Sequence, residues 1–303
     1  MNALLTADPN VVEQPLGQLD PTEFRACFNR RPFKIEHHLA DSPLFDLSRL
    51  VELAQRLPES RVEYNPGNLS VSHDPSKTPR NGLSIEDTIA RIEECNSWMV
   101  LKNVEIDTEY GALLDACLDA MRPFTEAVAP GMCRREGFIF ISSPGSVTPF
   151  HIDPENNFLL QIRGQKEVYL FDREDRVVIS EKDVESFFAG AHRNVPFDDA
   201  FRNRGEIFEL VPGEGLHFPV AAPHWVKNGQ AVSISFSITF QTDDSLRRQS
   251  LYRFNRQMRR LGIEPNPVDK SAFCDAIKYG FIRTLRGAKR LVGRDDTKKP
   301  ARY

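Results

Sequence analysis

His151 and Asp153 stand two residues apart in Thr148-Pro-Phe-His-Ile-Asp-Pro-Glu-Asn-Asn157, and in an extended chain residues i and i+2 leave the same face. A second imidazole is available in Pro223-His224-Trp225-Val226, which follows the Gly- and Pro-marked Val211-Pro-Gly-Glu-Gly-Leu-His-Phe-Pro219. Two imidazoles and one carboxylate that converge form the 2-His-1-carboxylate set, which grips a non-haem Fe(II) by one face and leaves the remaining positions open. A His-x-Asp pair arises on many strands through packing alone, so its neighbours matter. Thr148 lies three residues before His151, Asn157 six after, and Lys166 fifteen after, at the start of another strand-like run. A dicarboxylate that chelates such an iron through a 2-oxo acid end needs a cation and a hydroxyl for its far carboxylate, and Lys166 with Thr148 supplies a charge-assisted pair. The final strand-like run, Ala231 to Phe240, contains no Lys or Arg. Lys166 is therefore the natural clamp.

The elements that must position these groups change in texture along the chain. From Gly137 onward, short apolar and β-branched runs alternate with Gly, Pro, Asp and Asn at 137–142, 147–153, 157–162, 166–171, 206–211, 216–219, 223–228 and 231–240. Eight short strands imply a sandwich or barrel. The span 173–205 interrupts them with a polar stretch and a helix-like Glu181 to Phe188, and an insertion of that length is usually a lid or binding loop. Its Phe187, Phe188, His192, Arg193, Phe197 and Phe201 suit a mobile cover that selects the substrate. Before the barrel, helices are expected from Asp20 to about Arg30, after the cap Asp46, after Ser84, and from Asp107 to just before Pro123. Short strands are expected at Phe33 to His37, Arg61 to Tyr64 and Trp98 to Val104. After it come two helices, one capped by Ser245 and stopped by Gly262, the other running from Ser271 to Leu291. The expected division is thus an N-terminal α/β extension over 1–136, a β-core over 137–241 and a helical region over 242–303.

At 303 residues with a net charge of −4 the chain has ordinary globular composition. Its five cysteines are scattered, odd in number and free of any C-x-x-C pair, so neither a disulfide framework nor a zinc ribbon is indicated and a reducing cytoplasm is expected. No apolar run approaches a membrane span, and no basic flank leads an apolar stretch at the N-terminus. From Arg247 to Tyr303 there are 16 Lys/Arg against 5 Asp/Glu. Such a segment is either the solvated face of amphipathic helices or a surface for an acidic partner such as RNA.

The run Gly137 to Phe171, with Val147-Thr-Pro-Phe-His-Ile-Asp153 and Asn156-Asn-Phe-Leu-Leu-Gln-Ile-Arg-Gly-Gln-Lys166, resembles the JmjC cupin-like 2-oxoglutarate oxygenases. Within them it is most similar to the asparaginyl hydroxylase that acts on hypoxia-inducible factor and to bacterial cupin-like relatives. Gly213-Glu-Gly-Leu-His-Phe-Pro219 and Pro223-His-Trp225 resemble the family's Gly-rich turn and second iron histidine. The resemblance covers 137–241. It implies a mainly β fold, a double-stranded β-helix of the cupin or jelly-roll kind with flanking helices, and Fe(II) held by His151, Asp153 and His224. It also implies 2-oxoglutarate clamped by Lys166 and Thr148, with Asn157 and Thr239 near the co-substrate, the latter where the hydroxylase carries Asn. The implied reaction is hydroxylation of a C–H bond on a polypeptide side chain or small molecule, with release of succinate and CO2. Many members add an upstream tyrosine, for which Tyr64 is the candidate here, while Phe138 or Phe140 would wall the pocket. Some members dimerise through C-terminal helices, and the stripe Leu246, Phe254, Met258, Phe281 and Leu285 suits that contact.

Other residues of reactive type have plainer readings. His37 and His38 are adjacent on an extended segment and point to opposite faces, His217 belongs to a barrel wall, His73 and His192 lie in polar loops, and Trp225 is packing. Two rival functions stand beside the oxygenase. A cupin with another metal activity would not need Lys166 and Thr148 together. A non-catalytic binding protein acting through the basic C-terminal helices would be expected to carry a broken triad.

Overall fold

The computed structural model describes residues 14–73 and 81–291. Its elements run α1 (Pro21–Cys27), β1 (Phe33–Glu36), α2 (Leu47–Arg56), β2 (Val62–Pro66), α3 (Ile85–Ala90), β3 (Ser97–Lys102) and α4 (Thr108–Glu126). There follow β4 (Cys133–Ser142), β5 (Val147–His151), β6 (Asn156–Arg163), β7 (Lys166–Leu170), α5 (Glu181–Phe188) and β8 (Glu206–Leu210). The chain continues through β9 (Glu214–Phe218), β10 (His224–Asn228), β11 (Ser233–Gln241), α6 (Asp243–Arg260) and α7 (Ala272–Leu291).

The strands form two antiparallel sheets, one in the order β1-β9-β6-β11-β4-β3-β2 and one in the order β5-β10-β7-β8. Strand β11 shows how the large sheet divides inside from outside. Its Ser-Ile-Ser-Phe-Ser-Ile-Thr-Phe-Gln sequence alternates strictly, so Ile234, Phe236, Ile238 and Phe240 enter the main core beneath α1, α2 and α4. Ser233, Ser235, Ser237 and Thr239 are left for the opposite face, between the sheets. Leu159, Val168, Leu170, Leu210, Leu216, Phe218 and Val226 close the space between the sheets with a second apolar cluster. This is the double-stranded β-helix, widened by β1, β2 and β3 from the N-terminal region.

Local chemistry accounts for the boundaries that differ from expectation. Helix α4 passes through Pro123 to Glu126. A proline so near the end forfeits only one backbone hydrogen bond, and Thr125 is fully buried beyond it. Helix α6 is capped by Thr242, with Ser245 as its reciprocal partner in a capping box. Strand β5 stops at His151, two residues short of Asp153.

The span 173–205 is fixed to the barrel. Val195 N–H donates to Phe150 O (3.4 Å) and Ile152 N–H to Arg193 O (3.1 Å), which extends the free edge of β5. Phe188 stacks on Tyr252 of α6 at 5.3 Å, and Phe197 and Phe201 pack against Phe150 and Trp225 on the outside of the small sheet. The aromatic residues expected in a mobile cover therefore anchor the segment, and only His192, Arg193 and Asn194 reach the opening. Among the described residues no helix is long and apolar enough to cross a membrane.

Candidate metal centre

His151 ends β5 and His224 begins β10, and the two are directly paired across the small sheet. Asp153 lies beyond the strand, in a turn held by its neighbours rather than by strand alternation. Ala221 N–H donates to Asp153 O (2.9 Å), Gln249 Nε2 of α6 donates to Pro154 O (3.1 Å), and Ile152 is fully buried among Val184, Leu251 and Ile282. His151, Asp153 and His224 offer ligand atoms that all lie within 4.8 Å of one another, the one such group of three among the described residues.

The donor orientation suits a metal. His151 Nδ1 lies 2.7 Å from Pro149 O and His224 Nδ1 lies 2.9 Å from Ala222 O. A proton on each Nδ1 satisfies those carbonyls and frees both Nε2 lone pairs. These nitrogens face Asp153 Oδ2 at 3.6 Å from His151 and 3.5 Å from His224. Ligands about 2.1 Å from a first-row ion at right angles sit roughly 3 Å apart, so a small inward movement would complete a facial set. Burial pushes the His224 imidazole down to about 3, aided by neighbouring His151, which keeps it neutral as a ligand must be. Burial alone would raise Asp153, but His151, His224 and Arg193 hold its carboxyl well below the usual range. The carboxylate is ionised.

Thr148 and His151, three apart, would face opposite ways in a regular strand. The register of β5 against β10 shifts between the pairs His224↔His151 and Val226↔Thr148. This bulge turns both residues to one side, and they line the same cleft. Lys166 shares the inner face of β7 with Val168 and Leu170 and lies opposite Asn228, four residues along β10 from His224. It is buried, with no carboxylate paired to it among the described residues, and burial pushes its ammonium down to about 7. Asn157 and Thr239 are a cross-strand pair on β6 and β11. Asn157 Oδ1 accepts from Ser237 Oγ (2.7 Å), and Thr239 Oγ1 donates to Glu136 O (3.0 Å).

Two clefts flank the triad. One is lined by Asp153, Asn157, Ser237, Thr239, Phe138 and Phe140. The other, of about 840 Å³ including its open mouth, is lined by His151, Thr148, Trp98, Glu63, His73 and His192. Arg193 borders both. Lys166 lines neither and stands deeper between the sheets.

The candidate tyrosine is elsewhere, and the histidines and tryptophan read as structural are structural. Tyr64 pairs with Met99 and packs on the main core behind the large sheet, because its parity on β2 turns it away from the opening. His217 is structural: Asn29 N–H donates to its Nε2 (3.0 Å) and its ring stacks on Phe28. His37 is buried with Nε2 3.0 Å from Gln161 O, while Trp225 stacks on Tyr169 at 3.7 Å.

Lys102 is a site residue the sequence reading does not name, and Arg193, named there as part of a substrate-selecting cover, instead stands beside the metal ligand Asp153. Lys102 shares a β3 face with Trp98 and Val100, lines the first cleft, and pairs with Glu63 at 2.6 Å. A lysine at the third position of an otherwise apolar alternating face was its visible signal. The charge of Arg193 within the insertion was visible, but its place beside Asp153 was not, since it depends on how the insertion folds back.

Residues 23–245 match the family described as the cupin-like domain. Lysine-specific demethylase 8 of Danio rerio is 29% identical over 102 residues, 32% of this chain and 24% of that protein. JmjC domain-containing protein D of Dictyostelium discoideum is 36% identical over 107 residues, 33% of this chain and 23% of that protein. The chain therefore matches only a minor part of either relative's length. The X-ray structure of Escherichia coli YcfD has the same fold, with TM-score 0.51 and 17% identity over 94% of this chain and 70% of that one.

Proposed function

The chain belongs to the cupin-like domain family, and from that premise we propose an Fe(II)- and 2-oxoglutarate-dependent dioxygenase that hydroxylates a C–H bond, releasing succinate and CO2. The carrying observation is the pair of imidazole Nε2 atoms turned onto one carboxylate oxygen at 3.6 and 3.5 Å. His151, Asp153 and His224 would hold the iron, which when bound supplies O2 activation coupled to oxidative decarboxylation of the co-substrate.

The polypeptide's own contribution is placement and exclusion of water. The carbonyls of Pro149 and Ala222 fix both ring orientations, as partners behind metal-binding histidines do. Lys166, buried with no carboxylate paired to it among the described residues, is suited to take the far carboxylate of 2-oxoglutarate, and Thr148 adds a hydroxyl from the same inner face. Asn157 and Thr239 would border the co-substrate. In this assignment 137–241 carries the chemistry while 1–136 and 242–303 frame it.

The substrate is a polypeptide side chain or a small molecule entering by the cleft at His151. One relative is named a lysine-specific demethylase, so methylated and unmethylated peptides head the panel to be tested. The five unpaired cysteines fit a reducing cytoplasm. We further propose a homodimer through α7, whose Phe273, Ile277, Phe281 and Leu285 are 75%, 58%, 52% and 47% exposed at four-residue spacing; a symmetric contact would bury that stripe. The oxygenase reading is tested by succinate release from 2-oxoglutarate in the presence of Fe(II), O2 and a peptide and metabolite panel. Release that requires His151, Asp153 and His224 is expected, and release unaffected by His224→Ala would refute it.

A further inference from the structure

We propose that Arg193 is a positioning residue that occupies one oxygen of Asp153, so that the carboxylate meets the metal through the other oxygen alone. The inference rests on the metal-site reading above. Asp153 Oδ2 faces both imidazoles at 3.6 and 3.5 Å, whereas Oδ1 faces Arg193 Nη1 at 3.6 Å. The two oxygens are thus sorted by their neighbours before any ion arrives.

Arg193 is held in place by its backbone. Its carbonyl accepts from Ile152 N–H (3.1 Å), and the next residue, Asn194, forms a β-bridge to His151. The cation therefore rides on a short strand addition paired with the end of β5, in register with the turn it serves. Its side chain is 22% exposed, enough to remain charged, and a guanidinium does not deprotonate in proteins. Among the described residues the Asp153 contact is its one ion pair.

The consequence is chemical. A carboxylate free to chelate through both oxygens would consume one of the positions that the co-substrate and O2 require. Asp153 lies past the end of its strand, so sheet geometry does not restrict its rotation. A fixed cation at Oδ1 supplies the restriction.

The test is a Co(II) titration of the full-length chain followed by visible absorption, with thermal unfolding of the metal-free protein alongside. Arg193→Gln is expected to bind Co(II) about tenfold more weakly with an altered visible band, at an unchanged metal-free melting temperature. Arg193→Lys, which keeps the charge, should recover most of the affinity. Arg202→Gln, in the same segment but lying over the Phe197 and Trp225 rings, should match the parent. Wild-type affinity and spectrum in Arg193→Gln would overturn the inference alone, as would an equal loss in Arg193→Lys. Failure of the parent chain to bind Co(II) would overturn the metal reading and this inference with it.

Discussion

Lys166 is buried on the inner face of β7, and burial brings its ammonium down to about 7. The sign of its pH effect follows from linkage. Between about pH 7 and its ordinary value the unfolded chain binds one proton more than the folded chain, so this group's contribution to stability rises with pH across that window. Replacing it with an apolar side chain removes the desolvation cost, and metal-free Lys166→Met should melt no lower than the parent at pH 7 by scanning calorimetry. Binding a dicarboxylate should restore the proton. Calorimetry of 2-oxoglutarate binding in buffers of different ionisation enthalpy should show proton uptake at pH 8 and little at pH 6, and Lys166→Met should abolish the difference. Lys166→Ala should raise the 2-oxoglutarate requirement at least about 100-fold, the scale of breaking a buried charged pair, while leaving Co(II) affinity nearly unchanged. An unchanged co-substrate affinity in that variant would remove 2-oxoglutarate from the proposal.

At the scale of elements, the Asp153 turn is where three separate parts of the chain meet. Gln249 of α6 reaches it through Pro154 O, the segment before β10 through Ala221 N–H, and the insertion through Arg193. Gln249→Leu should cost about 1–3 kcal/mol in chemical denaturation, since it strands a buried acceptor, and should weaken Co(II) binding as well. Stability loss with full metal affinity would show that α6 only packs. These links tie the insertion to the metal site: replacing all of 173–205 by a short linker would remove Arg193 and the β5 edge pairing, so metal binding should fall along with turnover. The eight core strands were legible in the sequence because alternation and Gly, Pro and Asn punctuation are local properties, as β11 illustrates. The His151 and Asp153 pair was legible for a reason that proved incomplete, since β5 ends at His151 and the turn does the positioning. The bulge that brings Thr148 to the same side as His151 leaves no mark in composition, and the position of Arg193 is set by pairing between distant segments. Lys102 could be read from β3 parity, but only once the inner face of that strand was known.

Over the whole molecule, the helices before the barrel pack on the main core beneath the large sheet, while α6 and α7 pack with α5 and the turn that carries Asp153. The apolar α7 stripe faces outward in the single chain, while Ile282 and Tyr279 turn inward onto α6. Sedimentation at micromolar concentration should report a dimer, and Ile277→Glu with Phe281→Glu should give a monomer; a monomeric parent would remove the dimer from the proposal and leave the barrel untouched. The basic tail 294–303 lies outside the described residues, and its deletion should leave turnover unchanged if recognition runs through the clefts at the triad. A loss of turnover with that deletion would bring an acidic partner forward. The central claim is that His151, Asp153 and His224 hold one iron to which 2-oxoglutarate binds, and anaerobic titration with Fe(II) and then 2-oxoglutarate tests it most directly. A visible charge-transfer band saturating at one iron per chain is expected in the parent and absent in His151→Ala, Asp153→Ala and His224→Ala. No band in the parent, or the same band in those variants, would contradict the claim.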